Sequence, residues 1–175
     1  MADSVKFGVT CTPVEEIGTE ETLSPVPTII ASEVGKSLSG NGEATLVNFN
    51  ATAANQGYTG GVVNYKEAPD GASNEVAISG EATASFVFIK NTGYVFSSAT
   101  VLGDANSTRL VKVTTNSGAI TISVLDAGEA IILKGLQSGS GATLVASDIL
   151  IETVDSDGSE AAGGDHLAVE YLVVD

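Results

Sequence analysis

Apolar and polar residues alternate along most of the chain after residue 43. In AITISVL (residues 119–125), Ile120, Ile122 and Val124 fall on one face and hydroxyl side chains on the other, a period of two that is typical of β-strands. Turn signals such as PDG (residues 69–71) separate these segments. No segment carries a convincing helical period with caps. The pattern predicts roughly eight to ten strands in an all-β, antiparallel β-sandwich.

One segment departs from simple alternation. SFVFIKNTGYVFSSATVLG (residues 85–103) has four consecutive apolar residues from Phe86 to Ile89, and then NTG (residues 91–93). The NTG triplet predicts a hairpin turn with Gly at a positive φ. Apolar residues at successive positions predict a strand with two buried faces. Either a second subunit or an overlying arm covers the second face, or a loop of the same chain does.

The first 40 residues differ from the rest. They hold three of the four prolines, many acidic residues and little sustained alternation, which predicts an extended N-terminal arm with short strands. We therefore expect an arm over residues 1–40 and a β-sandwich domain over residues 41–175. The arm could lie over a neighbouring subunit or form a surface loop.

The charge balance narrows the possible partners. The chain has 22 acidic and 7 basic residues, a net charge of −15. Binding to DNA or RNA needs clustered Lys and Arg, and an anionic membrane would repel this surface. We therefore expect no nucleic-acid and no membrane partner. The N-terminus lacks the apolar segment of a signal peptide, so we expect a protein made in the cytoplasm.

Residues for catalysis are few. Cys11 is the only cysteine and His166 the only histidine. A nucleophilic cysteine needs a partner such as histidine, so Cys11 is interpreted as a small buried apolar residue. No Gly-x-Ser-x-Gly motif accompanies His166, and the pair Asp126 and Glu129 falls in a predicted turn. We expect a protein without enzymatic activity and without a cofactor.

One loop could bind a cation. DSDGSEAAGGDH (residues 155–166) offers oxygen ligands of the kind that Ca²⁺ prefers, followed by one imidazole. The candidate ligands are Asp155, Asp157, Glu160 and Asp165. Gly158 stands at the fourth position of the loop, so the spacing is not that of an EF-hand. A solvated acidic loop is the favoured interpretation and a bound cation the alternative.

Two further motifs carry a family resemblance. FIKNTG (residues 88–93) and LDAGEAIIL (residues 125–133) resemble a recurring pattern in small structural proteins of tailed bacteriophages. About a third of the chain takes part. The usual family pattern has Pro after the last apolar strand, where this chain has Lys134 and Gly135. The resemblance implies a jelly-roll-like β-sandwich and no catalytic residues.

The resemblance also implies a role in the virion, as a capsid decoration (cement) protein or a head-tail accessory subunit. The expected partners are the major capsid protein or other virion subunits, together with further copies of this chain, as a trimer rather than a dimer. If Phe86 and Phe88 face the core, the residues available to a partner are Val87, Ile89, Val95 and Ile131. The alternative function is a carbohydrate- or cell-surface-binding module of a phage tail or fibre, with Tyr58 as the candidate sugar-stacking residue.

Overall fold

The protein is all-β. The computed structural model describes residues 3–11, 14–16, 28–30, 38–46, 57–59, 62–71, 74–80, 84, 86–115, 120–134, 145–159, 161 and 163–174. Within these ranges the regular elements are β-strands and one short 3₁₀ turn, Ala146–Asp148. Every extended strand pairing whose register is resolved is antiparallel. The predicted fold class is therefore confirmed.

The chain divides into two compact units. One comprises Ser4–Ala44, and the other comprises Met1–Asp3 with Thr45–Asp175. The strands that lie wholly or mostly in the first unit are β1 (Asp3–Cys11), β2 (Val14–Glu16), β3 (Thr28–Ile30) and β4 (Leu38–Leu46). Strand β1 pairs with β4, and β2 pairs with β3. The predicted domain boundary at residue 40 falls inside β4.

The second unit holds the remaining strands. They are β5 (Tyr58–Thr59), β6 (Val62–Val63), β7 (Tyr65–Ala68), β8 (Val76–Ala77), β9 (Phe86–Ser98), β10 (Val101–Ala105), β11 (Arg109–Thr115), β12 (Ile120–Leu125), β13 (Ala130–Lys134), β14 (Leu150–Asp155) and β15 (Leu167–Val174). Strands β5 and β6 pair with each other. The other nine form two larger sheets.

The two larger sheets make the sandwich. Sheet A has the order β10-β9-β15-β7, with β13 also paired to β9, and sheet B has the order β12-β11-β14-β8. The turn between β12 and β13 carries the chain from sheet B to sheet A. Residues from both sheets pack into one apolar cluster, which defines the core. The jelly-roll connection remains a prediction.

Register assigns the two faces of sheet A. Directly opposite residues share a face, and two cross-strand rows lie on the inner face: Leu133–Val87–Val173 and Ile131–Ile89–Tyr171. All six belong to the core cluster or pack against it. Across the core, sheet B contributes Val111, Val113 and Ile151, each fully buried. Burying an aliphatic side chain of this size contributes about 1.5–3 kcal/mol.

The predicted interface set is therefore partly wrong. Val87 and Ile89 are 1% and 0% exposed inside the chain's own core, so they cannot contact a second subunit. Ile131 packs against the same core. Val95 is half-buried and lies opposite Leu167 of β15. The face that carries Phe86 and Phe88 points away from the core.

The predicted hairpin at NTG is also wrong. Residues 86–98 form one continuous strand, and the chain reverses at Ala99 and Thr100. At NTG the ladder with β15 is irregular, since Val95 pairs with Leu167 and Asn91 with Val169. Gly93 has φ +76°. A glycine at positive φ therefore marks a bulge within β9 rather than a turn between two strands.

Candidate functional site

The outer face of sheet A carries a second apolar surface. Its central row is Ile132–Phe88–Leu172, and Phe86 and Val174 lie opposite each other in the next row. We call these five residues the outer patch. Phe86 and Val174 are buried, whereas Phe88, Ile132 and Leu172 are half-buried. Strand β9 is therefore apolar on both sides, with one face inside the core and the other facing outward.

Charged side chains border the outer patch. Lys90 and Glu170 lie opposite each other in the row beyond Phe88 and form an ion pair at 3.5 Å. Lys134 lies opposite Phe86 at the other end and is exposed. An apolar centre with a charged rim is the usual organisation of a protein–protein interface. This surface can exclude water from a contact but offers no reactive group.

The two motifs behind the family resemblance meet in space. The side-chain amide of Asn91 donates to the carbonyl of Leu125 at 2.9 Å, and its oxygen accepts from Gly93 N–H at 2.9 Å. The backbone of Asn91 exchanges hydrogen bonds with Glu129 and Gly128 in the β12–β13 turn. Asn91 is fully buried, so these bonds supply the partners that a buried polar group requires. The motifs thus form one structural unit, which we call the Asn91 network.

Gly93 and Ala127 pack closely within the Asn91 network. A β-carbon added to Gly93 would lie 2.9 Å from the β-carbon of Ala127. The carboxylate of Glu129 accepts from Asp126 N–H at 2.9 Å across the turn. Asp126 and Glu129 are both exposed, and the hydrogen bond gives Glu129 a structural role in closing the turn.

A charged cluster surrounds His166. Its Nδ1 contacts the carboxylate of Glu67, and its Nε2 lies 2.9 Å from Oδ1 of Asp70. The other oxygen of Asp70 accepts the backbone N–H of Gly164. The hydrogen bond to Glu67 is the largest effect on His166 and raises its pKa above the ordinary value, while the Gly164 N–H lowers the pKa of Asp70.

The His166 cluster borders a groove of about 640 Å³. Ser79 and Ser147 also line the groove, so the groove contains the residue types of a serine-based catalytic triad. In a triad, one imidazole nitrogen faces the carboxylate and the other accepts the serine proton. Here both nitrogens face carboxylates. The arrangement therefore leaves no nitrogen to activate a serine, and its carboxylates lie at opposite ring edges.

The acidic residues of the 155–166 loop bind separate partners. Asp155 pairs with Arg109 at 3.3 Å, Asp157 accepts from Ser159, and Asp165 accepts from Asn106 at 3.4 Å. Hydrogen bonds from Ser159 lower the pKa of Asp157. Across the part of the chain that the structure describes, no group of three metal-ligating side chains converges. The candidate ligand Glu160 lies outside the described residues.

Two other candidates have structural settings of their own. Tyr58 is half-buried in the two-residue strand β5. The preceding Gly57 is buried, and a β-carbon there would lie 2.0 Å from the carbonyl oxygen of Tyr171. Tyr58 is thus held beside a close backbone contact to β15. Cys11 ends β1, but its side chain is not among those that the structure describes.

Comparisons with family models, curated proteins and solved structures find no match to this chain. Among the described residues, the structure also has no helix of the length and apolar character needed to cross a membrane. Two features escaped sequence reasoning: the outward direction of Phe88 and the cluster at His166, whose partners are almost a hundred positions away in the chain.

Proposed function

We propose that this protein is a non-enzymatic structural subunit of a bacteriophage particle, of the capsid decoration or cement type. It is made in the host cytoplasm and joins the virion through protein–protein contacts. Its docking surface is the half-buried row Ile132–Phe88–Leu172 of the outer patch, because Phe86 and Val174 are already buried within the chain. The occupant is the major capsid protein or another virion subunit. The observation that carries the proposal is the Ile132–Phe88–Leu172 row, an apolar row on the non-core face of the central sheet.

The energetics of such a row support docking. Each half-buried side chain retains apolar surface that a partner can remove from water, at about 25 cal/mol per Å². The row lies on β13, β9 and β15, and both outer strands are hydrogen-bonded to β9. Docking therefore requires little ordering of the backbone. The Lys90–Glu170 pair next to it offers polar contacts at the rim. A rigid apolar row with a charged edge favours a lasting contact over a transient one.

The charge and the chemistry of the chain agree with this role. A net charge of −15 disfavours contact with the packaged nucleic acid and leaves the protein shell as the partner. In the described ranges, both ring nitrogens of His166 contact carboxylates and no three metal-ligating side chains converge, which supports a structural role. The two resemblance motifs join in the Asn91 network, which supports a structural reason for their recurrence.

The direct test is the composition of particles. Particles purified from cells that make this chain are quantified by mass spectrometry for copies of this chain per copy of the major shell protein. Hundreds of copies per particle support a decoration role, and a few to a dozen support a head-tail position. A chain that stays in the soluble fraction contradicts the virion proposal. Binding to a glycan array without particle association would instead support a carbohydrate-binding module.

A matched pair of variants tests the docking surface. Leu172→Ser alters the outer patch, and Val124→Ser alters an exposed apolar residue of sheet B, which is 40% exposed. We expect Leu172→Ser to reduce the particle copy number and Val124→Ser to leave it unchanged. The reverse order contradicts the assignment of the outer patch. Light scattering tests the proposed trimer, which has three times the chain mass of 17.6 kDa.

A further inference from the structure

The His166 cluster joins segments that are far apart in the chain. Glu67 lies in β7, Asp70 in the turn that follows it, and Gly164 and His166 in the loop before β15. The end of β7 is itself fixed to β14, because Thr153 donates its backbone N–H to Pro69 at 2.7 Å and its hydroxyl to Ala68 at 2.6 Å. The loop before β15 therefore rests on a well-supported strand end.

Proton count decides which contacts this cluster can make. A neutral imidazole has one N–H donor and one acceptor nitrogen, whereas the imidazolium has two donors. Both carboxylates are acceptors when ionised. Only the protonated ring can donate to Glu67 and Asp70 together. In the neutral ring, one nitrogen lone pair faces a carboxylate oxygen.

We propose that Glu67, His166 and Asp70 form a proton-dependent latch, which holds Gly163 and Gly164 against the end of β7 when His166 is protonated and releases them when it is neutral. The latch is a conformational device at the rim of the groove that contains Ser79 and Ser147. Closing it fixes Gly164 through the N–H bond to Asp70. Opening it frees Gly164, whereas the backbone at His166 and Leu167 stays bonded to Phe96 and Thr153.

Other charged side chains near the cluster have settings of their own. Lys66 lines the same groove, and burial lowers the pKa of its amine. Arg109 is engaged with Asp155, and Asp165 points to Asn106. The 3₁₀ turn and β8 contribute Ser147, Val76 and Ala77 to the groove, none of which is charged. Glu67 and Asp70 are thus the charged groups in direct contact with the ring.

The direction of the pH dependence follows from the shifted pKa values of His166 and Asp70. The pKa of His166 is raised by Glu67. The contribution of the protonated ring to stability is therefore complete below the unfolded pKa of about 6.5, and it is lost as pH rises through the folded pKa. The pKa of Asp70 is lowered, so its contribution is lost as pH falls through its own folded pKa. The latch is closed in the window between these two folded values.

The test uses the unmodified protein, because His166 is the only histidine and its ring signals are unambiguous. NMR titration of the ring should give a midpoint above about 6.5. Amide exchange of Gly164, corrected for the intrinsic effect of pH, should accelerate about tenfold or more through the same midpoint, as expected for loss of a hydrogen bond to a charged group. A His166 midpoint at or below the ordinary histidine pKa would contradict the latch. So would a rate of Gly164 amide exchange that does not change at the His166 midpoint.

Variants separate the latch from a general effect of charge. Glu67→Gln should lower the midpoint of His166, whereas Asp157→Asn, which removes an exposed carboxylate bonded to Ser159, should leave it nearly unchanged. His166→Gln, which does not titrate, should remove the step in Gly164 exchange. A step that persists in His166→Gln, or an equal shift from Asp157→Asn and Glu67→Gln, contradicts the proposal.

Discussion

The two faces of strand β9 differ in what surrounds equally apolar side chains. On the inner face, Val87 and Ile89 are enclosed by β13, β15 and sheet B. On the outer face, Phe88 lies between Ile132 and Leu172, and all three keep partial exposure. Apolar character alone therefore does not indicate a core residue. The inner face holds the fold together, and the half-buried row on the outer face is available for an assembly contact.

The largest expected difference between the faces concerns stability. Ile89→Ala removes atoms from a fully enclosed site and should lower the free energy of unfolding by about 2–5 kcal/mol. Phe88→Ala removes more atoms but opens toward solvent, where no closed cavity forms, so it should cost less. Urea unfolding of both variants measures the difference. A loss for Phe88→Ala as large as that for Ile89→Ala would contradict the distinction between the faces.

The inner face also depends on a buried amide. Asn91→Ala leaves the Leu125 carbonyl and the Gly93 N–H without their side-chain partner and should cost about 2–3 kcal/mol. Asn74→Ala is the matched control, because its amide bonds the Asp70 carbonyl at an exposed position, where water replaces the bond. Equal unfolding midpoints for the two variants in urea would show that the Asn91 network contributes little.

Two glycines allow a matched test of the bulge. Gly93 and Gly128 have φ of +76° and +86°, so alanine strains the backbone at either position by about 1–2 kcal/mol. At Gly93 the new β-carbon also overlaps Ala127, whereas at Gly128 nothing lies within 4 Å. Gly93→Ala should therefore cost about 1 kcal/mol more than Gly128→Ala. Thermal unfolding with equal losses would argue against close packing at the bulge.

The smallest expected effect lies at the rim of the outer patch. Lys90 and Glu170 are 37% and 28% exposed and form an ion pair at 3.5 Å. Solvent screens such a pair, so its coupling should be about 0.5 kcal/mol or less. A double-mutant cycle with Lys90→Ala and Glu170→Ala measures it. A coupling well above 1 kcal/mol would place this pair among the stabilising contacts of the fold.

The fold class could be predicted because it depends on local signals. Period-two alternation in AITISVL and the regular turn residues are sufficient for an antiparallel all-β domain. The faces of β9 could also have been assigned, since Lys90 shares the period-two face of Phe86 and Phe88. A charged side chain marks the solvent side of a strand. The predicted interface set assumed the opposite assignment, with Phe86 and Phe88 facing the core.

Other features depend on contacts that sequence patterns do not encode. NTG has the composition of a turn, yet the Asn91 amide satisfies the backbone locally and lets the strand continue past Gly93. The His166 cluster needs β7 and the loop before β15 to meet, and no local periodicity indicates that pairing. The predicted cation site relied on composition, whereas its described carboxylates have separate partners.

Adjacent isoleucines provide the most direct test of the central claim. Ile131 packs against the core and Ile132 lies in the outer patch, so Ile131→Ala and Ile132→Ala make the same chemical change on opposite faces. The measurement is copies per shell protein in purified particles, by mass spectrometry, alongside urea unfolding. We expect Ile132→Ala to reduce the copy number severalfold, with a loss in the free energy of unfolding within about 1 kcal/mol. Folded Ile131→Ala, although less stable, should bind particles at the level of the unmodified protein. Unmodified copy number for Ile132→Ala would contradict it.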